Sequence, residues 1–259
     1  MNNVQKSAEI IAKFLKINRV DTIFGLCGGH IMPIWMELDK AGIRIIDTRD
    51  ERGAVFMAHS YSEFSGKIGI ALVTAGPGLT NALTGIANAH ISRVPLLIIS
   101  GTPPIFQENR GALQDINHVE IVKSVTRYSQ TVRHESLIIN EMNQAFYHAL
   151  GIIGESGPSF IEFPTNVLRT EVKGSQIFKE FYKPIEKSLP LPESSKVSEL
   201  LNLLNSSKRI LLISGRGAKR CNANLFQFIE KFNVLYLDTA ESKGIIDNDH
   251  ENFVPSMRS

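Results

Sequence analysis

The feature that most constrains this chain is the alternation of short apolar runs with longer stretches of helical periodicity. The runs are Asp21 to Leu26, Arg44 to Asp47, Ile68 to Thr74, Pro95 to Ser100 and Ser159 to Phe163. Ile31 to Lys40, Glu51 to Phe64, Leu79 to His90 and Leu137 to Leu150 carry the helical spacing. Runs this short and apolar read as buried strands. Strands separated by helices pair in parallel and cover both sheet faces with those helices. The expected fold is therefore α/β, a doubly wound, mostly parallel sheet with helices on both faces.

The pattern holds over residues 1–169 and lapses between Thr170 and Ser195, where three prolines and several lysines predict a linker. It resumes over 196–259 with a helix at Lys196 to Leu204, a strand at Arg209 to Ser214, a helix at Ala218 to Phe232 and a strand at Val234 to Asp238. So few elements bury little surface, so an incomplete second α/β unit is expected. The opening residues space apolar side chains helically but interrupt them with Lys6, Lys13 and Lys16, which suits an amphipathic helix rather than a secretory leader.

Charge and cysteine content exclude several classes of partner. With 28 Lys and Arg against 26 Asp and Glu, the net charge of +2 gives no footprint for nucleic acid. The longest apolar run, Val94 to Ile99, is too short to cross a bilayer, so no membrane span is expected. Cys27 and Cys221 lie far apart without CxxC spacing, which predicts neither a disulfide framework nor a zinc knuckle and suits a reducing, cytoplasmic compartment.

Open α/β sheets place ligands beyond the carboxyl ends of their strands. There the second run delivers Arg49, Asp50, Glu51 and Arg52, and three other runs end in glycine turns: FGLCGGHIMP (24–33), VTAGPGLTN (73–81) and IISGTPP (98–104). Glycine permits positive φ and close backbone approach, and a following helix offers unpaired amides. Neither VTAGPGLTN nor SGRGAKR (214–220) completes a dinucleotide fingerprint or a P-loop. By residue type alone, Glu51 reads first as an N-cap or a complement to its helix dipole, Asn81 equally as a helix cap, and His30 equally as a solvent-facing histidine. His90 and His118 lack metal-ligand spacing, so both are expected to be structural and no metal site is expected in this chain.

Four stretches make a more specific case: VDTIFGLCGGHIMPI, the run from IIDTRDERGAVFMA through VTAGPGLTN to LLIISG, GALQDINHVEIVKSVTRY, and GPSFIEFPTNV. In this order and spacing they resemble the N-terminal, pyrimidine-binding domain of thiamine-diphosphate enzymes, especially the acetolactate synthase and benzaldehyde lyase group. The resemblance covers residues 4–169, and 196–259 resemble the first half of that family's central domain. It implies that Glu51 hydrogen-bonds the ring nitrogen of the cofactor's aminopyrimidine, favouring the imino tautomer that takes a proton from the thiazolium carbon. It further implies cofactor contacts at Gly28, Gly29, Pro77, Gly78, Asn81 and Gln114, with His30 and Gln114 orienting or protonating intermediates.

The implied activity is that of a carboligase or lyase acting on 2-keto acids or aldehydes with thiamine diphosphate and Mg2+. The family holds the diphosphate and magnesium with a GDG motif, which these 259 residues lack. A C-terminal diphosphate-binding domain or partner subunit is therefore expected to complete the site, in a homodimer or heterotetramer, while flavin binding stays open. Cys27, His59 and Ser60 depart from the family pattern, the last two by replacing small residues and glycine where helix packing would be crowded. The competing expectations are a catalytically silent remnant or assembly subunit that keeps the fold and dimer surface, and a nucleotide-binding module using Gly215 to Gly217.

Overall fold

The computed structural model describes residues 4–173, 184–188 and 190–255. It contains two compact units, Met1–Ser188 and Leu189–Ser259. In the first, the elements run β1 (Val4–Lys6), α1 (Ser7–Ile17), β2 (Thr22–Gly25), α2 (Met32–Lys40), β3 (Arg44–Asp47), α3 (Glu51–Ser65), β4 (Gly69–Val73) and α4 (Pro77–Ile91). They continue with β5 (Leu96–Thr102), α5 (His118–Val122), β6 (Tyr128–Thr131), α6 (Ile138–Leu150), β7 (Pro158–Pro164), α7 (Thr165–Arg169) and β8 (Glu171–Lys173).

Six strands form one sheet in the order β3-β2-β4-β5-β7-β6, every pair parallel. The expected α/β architecture is what the chain adopts. Successive strand side chains point to opposite faces, and the core divides accordingly. Ile70, Leu72, Leu97, Ile99, Ile161 and Phe163 join α1, α2 and α6 on one face. Ala71, Val73, Leu96, Ile98 and Phe160 join α3 and α4 on the other. Burying each large apolar side chain contributes about 1.5–3 kcal/mol.

This topology positions the crevice. From β2 the chain steps outward to β3 and then returns past β2 to β4. The helix after β2 covers one face, while those after β3 and β4 cover the other. Such a reversal opens a cleft at the carboxyl ends of the strands on either side of it, here β2 and β4.

Sequence reading did not foresee β6, whose YSQT carries no apolar run because it lies at the sheet edge. It also missed the antiparallel pair of β1 with β8, the latter inside the stretch read as a linker. Of that stretch, residues 174–183 and 189 lie outside the described residues.

The second unit contains α8 (Ser194–Ser206), β9 (Leu211–Ser214), α9 (Asn222–Phe232) and β10 (Leu235–Asp238), with β9 and β10 parallel. The helix expected from Ala218 begins instead as a 3-10 segment at Arg216–Cys221 and turns α-helical at Asn222. A small core forms around Ile229, Val234, Tyr236, Ile245 and Ile246, while Leu200, Leu203, Leu211, Ile213 and Leu235 stay exposed. Among the described residues, no helix is long and apolar enough to cross a membrane.

Candidate active site

Adjacent carboxylates at the end of β3 divide two tasks between them. Asp50 is extended (φ −157°, ψ 137°) and caps α3, accepting from the Arg52 amide at 2.8 Å and from the Arg52 guanidinium at 2.9 and 2.7 Å. Glu51 is thereby released from capping. It is 8% exposed, and its Oε2 accepts a 2.9 Å hydrogen bond from Asn81 Nδ2. Of the four charges in this turn, Arg49 and Arg52 face solvent, Asp50 is half-buried, and Glu51 alone is buried. Asn81 lies in the second turn of α4, whose N-cap is Gly76. The capping alternative for Asn81 therefore does not hold.

The turn between β4 and α4 forms the floor. Gly76 adopts φ 60° and ψ −120°, a left-handed conformation suited to glycine, and a Cβ there would fall 2.8 Å from Gln114 Cβ. A Cβ on Gly78 would lie 2.7 Å from Thr74 Cγ2 and 3.3 Å from Glu51 Oε1. Glycine at position 78 is thus what leaves space beside Oε1. Pro77 opens the helix with its fixed φ.

The other expected residues gather less tightly. Gly28 approaches Thr74 so closely that a Cβ would meet its Oγ1 at 2.5 Å, whereas Gly29 is exposed with open space around it. His30 is half-buried, and its carbonyl oxygen lies 2.5 Å from where a Cβ on Gly101 would stand. Burial pushes the His30 imidazole below its usual value, Gln114 opposes the shift by hydrogen bonding, and His118 adds to it. Gln114 itself has φ 63°. Cys27 is half-buried, and burial first of all raises its thiol pKa, which disfavours the thiolate.

A second buried line of hydrogen bonds runs behind the floor. His118 and Glu162 are 1% and 5% exposed. The Gly76 amide donates to His118 Nε2 at 2.6 Å, His118 Nδ1 lies 2.6 Å from Glu162 Oε2, and Thr131 Oγ1 donates to Glu162 Oε1 at 2.6 Å. An amide can only donate, so Nε2 carries the lone pair and Nδ1 the proton. Sequence reading took His118 as structural and passed over Glu162; a glutamate within the apolar run SFIEFP was the available signal.

The residues present fit a hydrogen-bonding aminopyrimidine ring. The carboxylate is buried, with Asn81 as its hydrogen-bond partner, and glycine leaves one oxygen approachable. Nearby, Thr74 Oγ1 and His30 Nδ1 are buried without a partner among the described residues. Buried polar atoms are ordinarily satisfied, so both are suited to receive a ligand.

Comparison with known proteins points the same way. The model for the thiamine pyrophosphate enzyme N-terminal TPP binding domain matches residues 5–121, and that for the thiamine pyrophosphate enzyme central domain matches 197–259. A 2-hydroxyacyl-CoA lyase 2 of Caenorhabditis elegans is 34% identical over 276 residues, covering 93% of this chain and 43% of that protein. The acetolactate synthase large subunit of Lactococcus lactis is 32% identical over 250 residues, 94% of this chain and 42% of that protein. The 2-hydroxyacyl-CoA lyase 2 of Danio rerio is 42% identical over 160 residues, 62% of this chain and 25% of that protein. The chain spans less than half the length of these relatives.

Proposed function

The chain belongs to the thiamine pyrophosphate enzyme family, and from that premise we propose that its first unit forms the pyrimidine side of a thiamine-diphosphate site. The activity we infer is that of a carbon–carbon lyase or carboligase acting on 2-keto acids, aldehydes or 2-hydroxyacyl substrates. The carrying observation is Glu51: buried, freed from capping by Asp50, and held through Oε2 by Asn81.

When bound, thiamine diphosphate supplies the electron sink for making or breaking a bond beside a carbonyl. The protein holds a proton at Glu51 Oε1, shared with the pyrimidine ring nitrogen. Asn81 fixes the carboxyl plane, so that Oε2 is committed and Oε1 is the oxygen left to act. Gly28, Gly29, Pro77 and Gly78 provide the backbone floor, and Gln114 and His30 orient polar groups of substrate. A GDG-containing segment from outside these 259 residues holds the diphosphate and Mg2+, in a homodimeric or heterotetrameric assembly. The free thiols Cys27 and Cys221 support a reducing, cytoplasmic setting.

The silent-remnant reading drew on the altered His59 and Ser60 and on the missing diphosphate-binding half. His59 is buried with Nδ1 3.4 Å from Asn88 Nδ2 and Ser60 is exposed, while the retained Glu51, TAGPG loop and Gln114 speak against that reading.

The test is Glu51→Gln in the assembly completed by a GDG-containing segment, with thiamine diphosphate, Mg2+ and pyruvate or a 2-hydroxyacyl substrate. Glutamine keeps an acceptor for Asn81 but cannot exchange the proton. Turnover should fall about 10²–10⁴-fold while the melting temperature of the chain stays unchanged. Wild-type turnover in the variant would sink the proposal.

A further inference from the structure

We propose that His118, oriented by Glu162, is a positioning residue that locks the Gly76 turn and the Gln114 loop into a single geometry. This rests on reading the crevice as the pyrimidine side of the cofactor site. The lock itself is a property of this chain.

Two loops meet at Gly76. The β4–α4 turn carries Pro77, Gly78 and Asn81, and the Gln114 loop lays its Cα and Cβ against the place where Gly76 has no side chain. Neither loop is regular. Gly76 has φ 60°, which glycine takes freely, and Gln114, which is not glycine, has φ 63°, a conformation that a non-glycine residue keeps only where surrounding contacts hold it. His118 begins α5, four positions after Gln114, and takes the Gly76 amide on Nε2. One ring therefore ties the start of the helix bearing Asn81 to the end of the loop bearing Gln114.

The ring is itself held. Glu162 belongs to β7, in the middle of the sheet's second half, and both its oxygens accept hydrogen bonds, one from His118 and one from Thr131 of β6. This fixes the imidazole as the tautomer that offers a lone pair to Gly76. In the mechanism proposed above, Glu51 Oε1 acts only if Gly78 and Asn81 keep their places, so the Gly76 peptide orientation bears on the site without touching cofactor.

The experiment compares His118→Leu, His118→Gln and Glu162→Gln by amide hydrogen exchange and 15N NMR of the chain, then by kinetics of the completed enzyme. A glutamine amide presents an acceptor and a donor spaced much as the imidazole nitrogens are. It can bridge Gly76 and Glu162; leucine cannot. The expected result is Gly76 exchange at least about tenfold faster in His118→Leu, with shifted Gln114 and Asn81 resonances and reduced kcat. His118→Gln should recover most of the protection, and Glu162→Gln should fall between. A space-filling role would instead make leucine the better replacement. If His118→Leu leaves Gly76 exchange and the Gln114 and Asn81 signals as in wild type, or matches His118→Gln in both, the lock is refuted. Should leucine prevent folding, the Gly76 protection of His118→Gln and Glu162→Gln decides: wild-type values in Glu162→Gln and loss in His118→Gln would overturn the proposal. An inactive wild-type assembly would refute the cofactor reading, while the exchange data would still judge the lock.

Discussion

Asp50 and Glu51 are chemically alike and differ by one position, yet their surroundings separate them. Arg52, hydrogen-bonded to Asp50 and charged beside it, pulls the Asp50 carboxyl down to about 2, while Glu51 turns inward to Asn81. The arrangement depends on the missing side chain at Gly78. Gly78→Ala should therefore destabilise the chain by about 1–3 kcal/mol, because its Cβ would meet Thr74 at 2.7 Å and crowd Glu51 Oε1. Urea denaturation measures the first effect and thiamine-diphosphate affinity of the completed assembly the second; an unchanged midpoint would contradict it. His30 makes a pH-dependent contribution. Its pKa is depressed in the fold by burial, so the unfolded chain binds the proton more readily. Stability should then fall as pH drops below the ordinary histidine value of about 6.5, and His30→Gln should flatten that part of the profile. Thermal melts between about pH 5 and 7.5 would show it, and parallel profiles for the two proteins would count against it. The charged turn after β3 was legible in sequence because charge after an apolar run marks a strand end, but within it Glu51 was singled out by the family resemblance. The His118–Glu162 pair was not, because its partners are 44 residues apart and nothing local announces that they meet.

Among the elements, legibility followed burial. Strands β4, β5 and β7 are buried throughout nearly all their length and stand out as apolar runs. The edge strand β6 is half-exposed and polar, so its pairing with β7 became visible only in the sheet. Close approach between elements is a further property of this kind. Gly69 in β4 lies beneath α3 so tightly that a Cβ would stand 2.1 Å from the Ala58 carbonyl oxygen, whereas at Gly85 in α4 it would stand 2.7 Å from Val55 Cγ1. Backbone cannot give way without moving the helix, while a valine methyl can shift. Gly69→Ala should cost about 3 kcal/mol or more and Gly85→Ala about 1–3 kcal/mol. Equilibrium unfolding of both variants checks the ranking, and equal losses would show that α3 yields as easily as a side chain.

At the scale of the whole molecule, the two units differ in how far they satisfy themselves. The first sandwiches its sheet between two continuous cores. The second pairs two strands over a small core and leaves Leu200, Leu203, Leu211, Ile213 and Leu235 exposed, too little burial for a stable domain. Residues 1–188 alone should unfold in a single cooperative transition, and residues 189–259 alone should show none. Circular dichroism melts of the two fragments provide the measurement, and a sharp transition in the shorter fragment would overturn the expectation. By itself the sequence determined the α/β class, the order of most elements, the glycine turns and the acid at the end of β3, because periodicity, composition and strand-end chemistry are written in neighbouring residues. Only the tertiary structure decided that β4 lies beside β2 rather than β3, that Asn81 closes on Glu51, that Gly76 leans on Gln114, and that His118 joins them to Glu162. Those relations are contacts between residues distant along the chain, and they exist only once packing has brought the strand ends together.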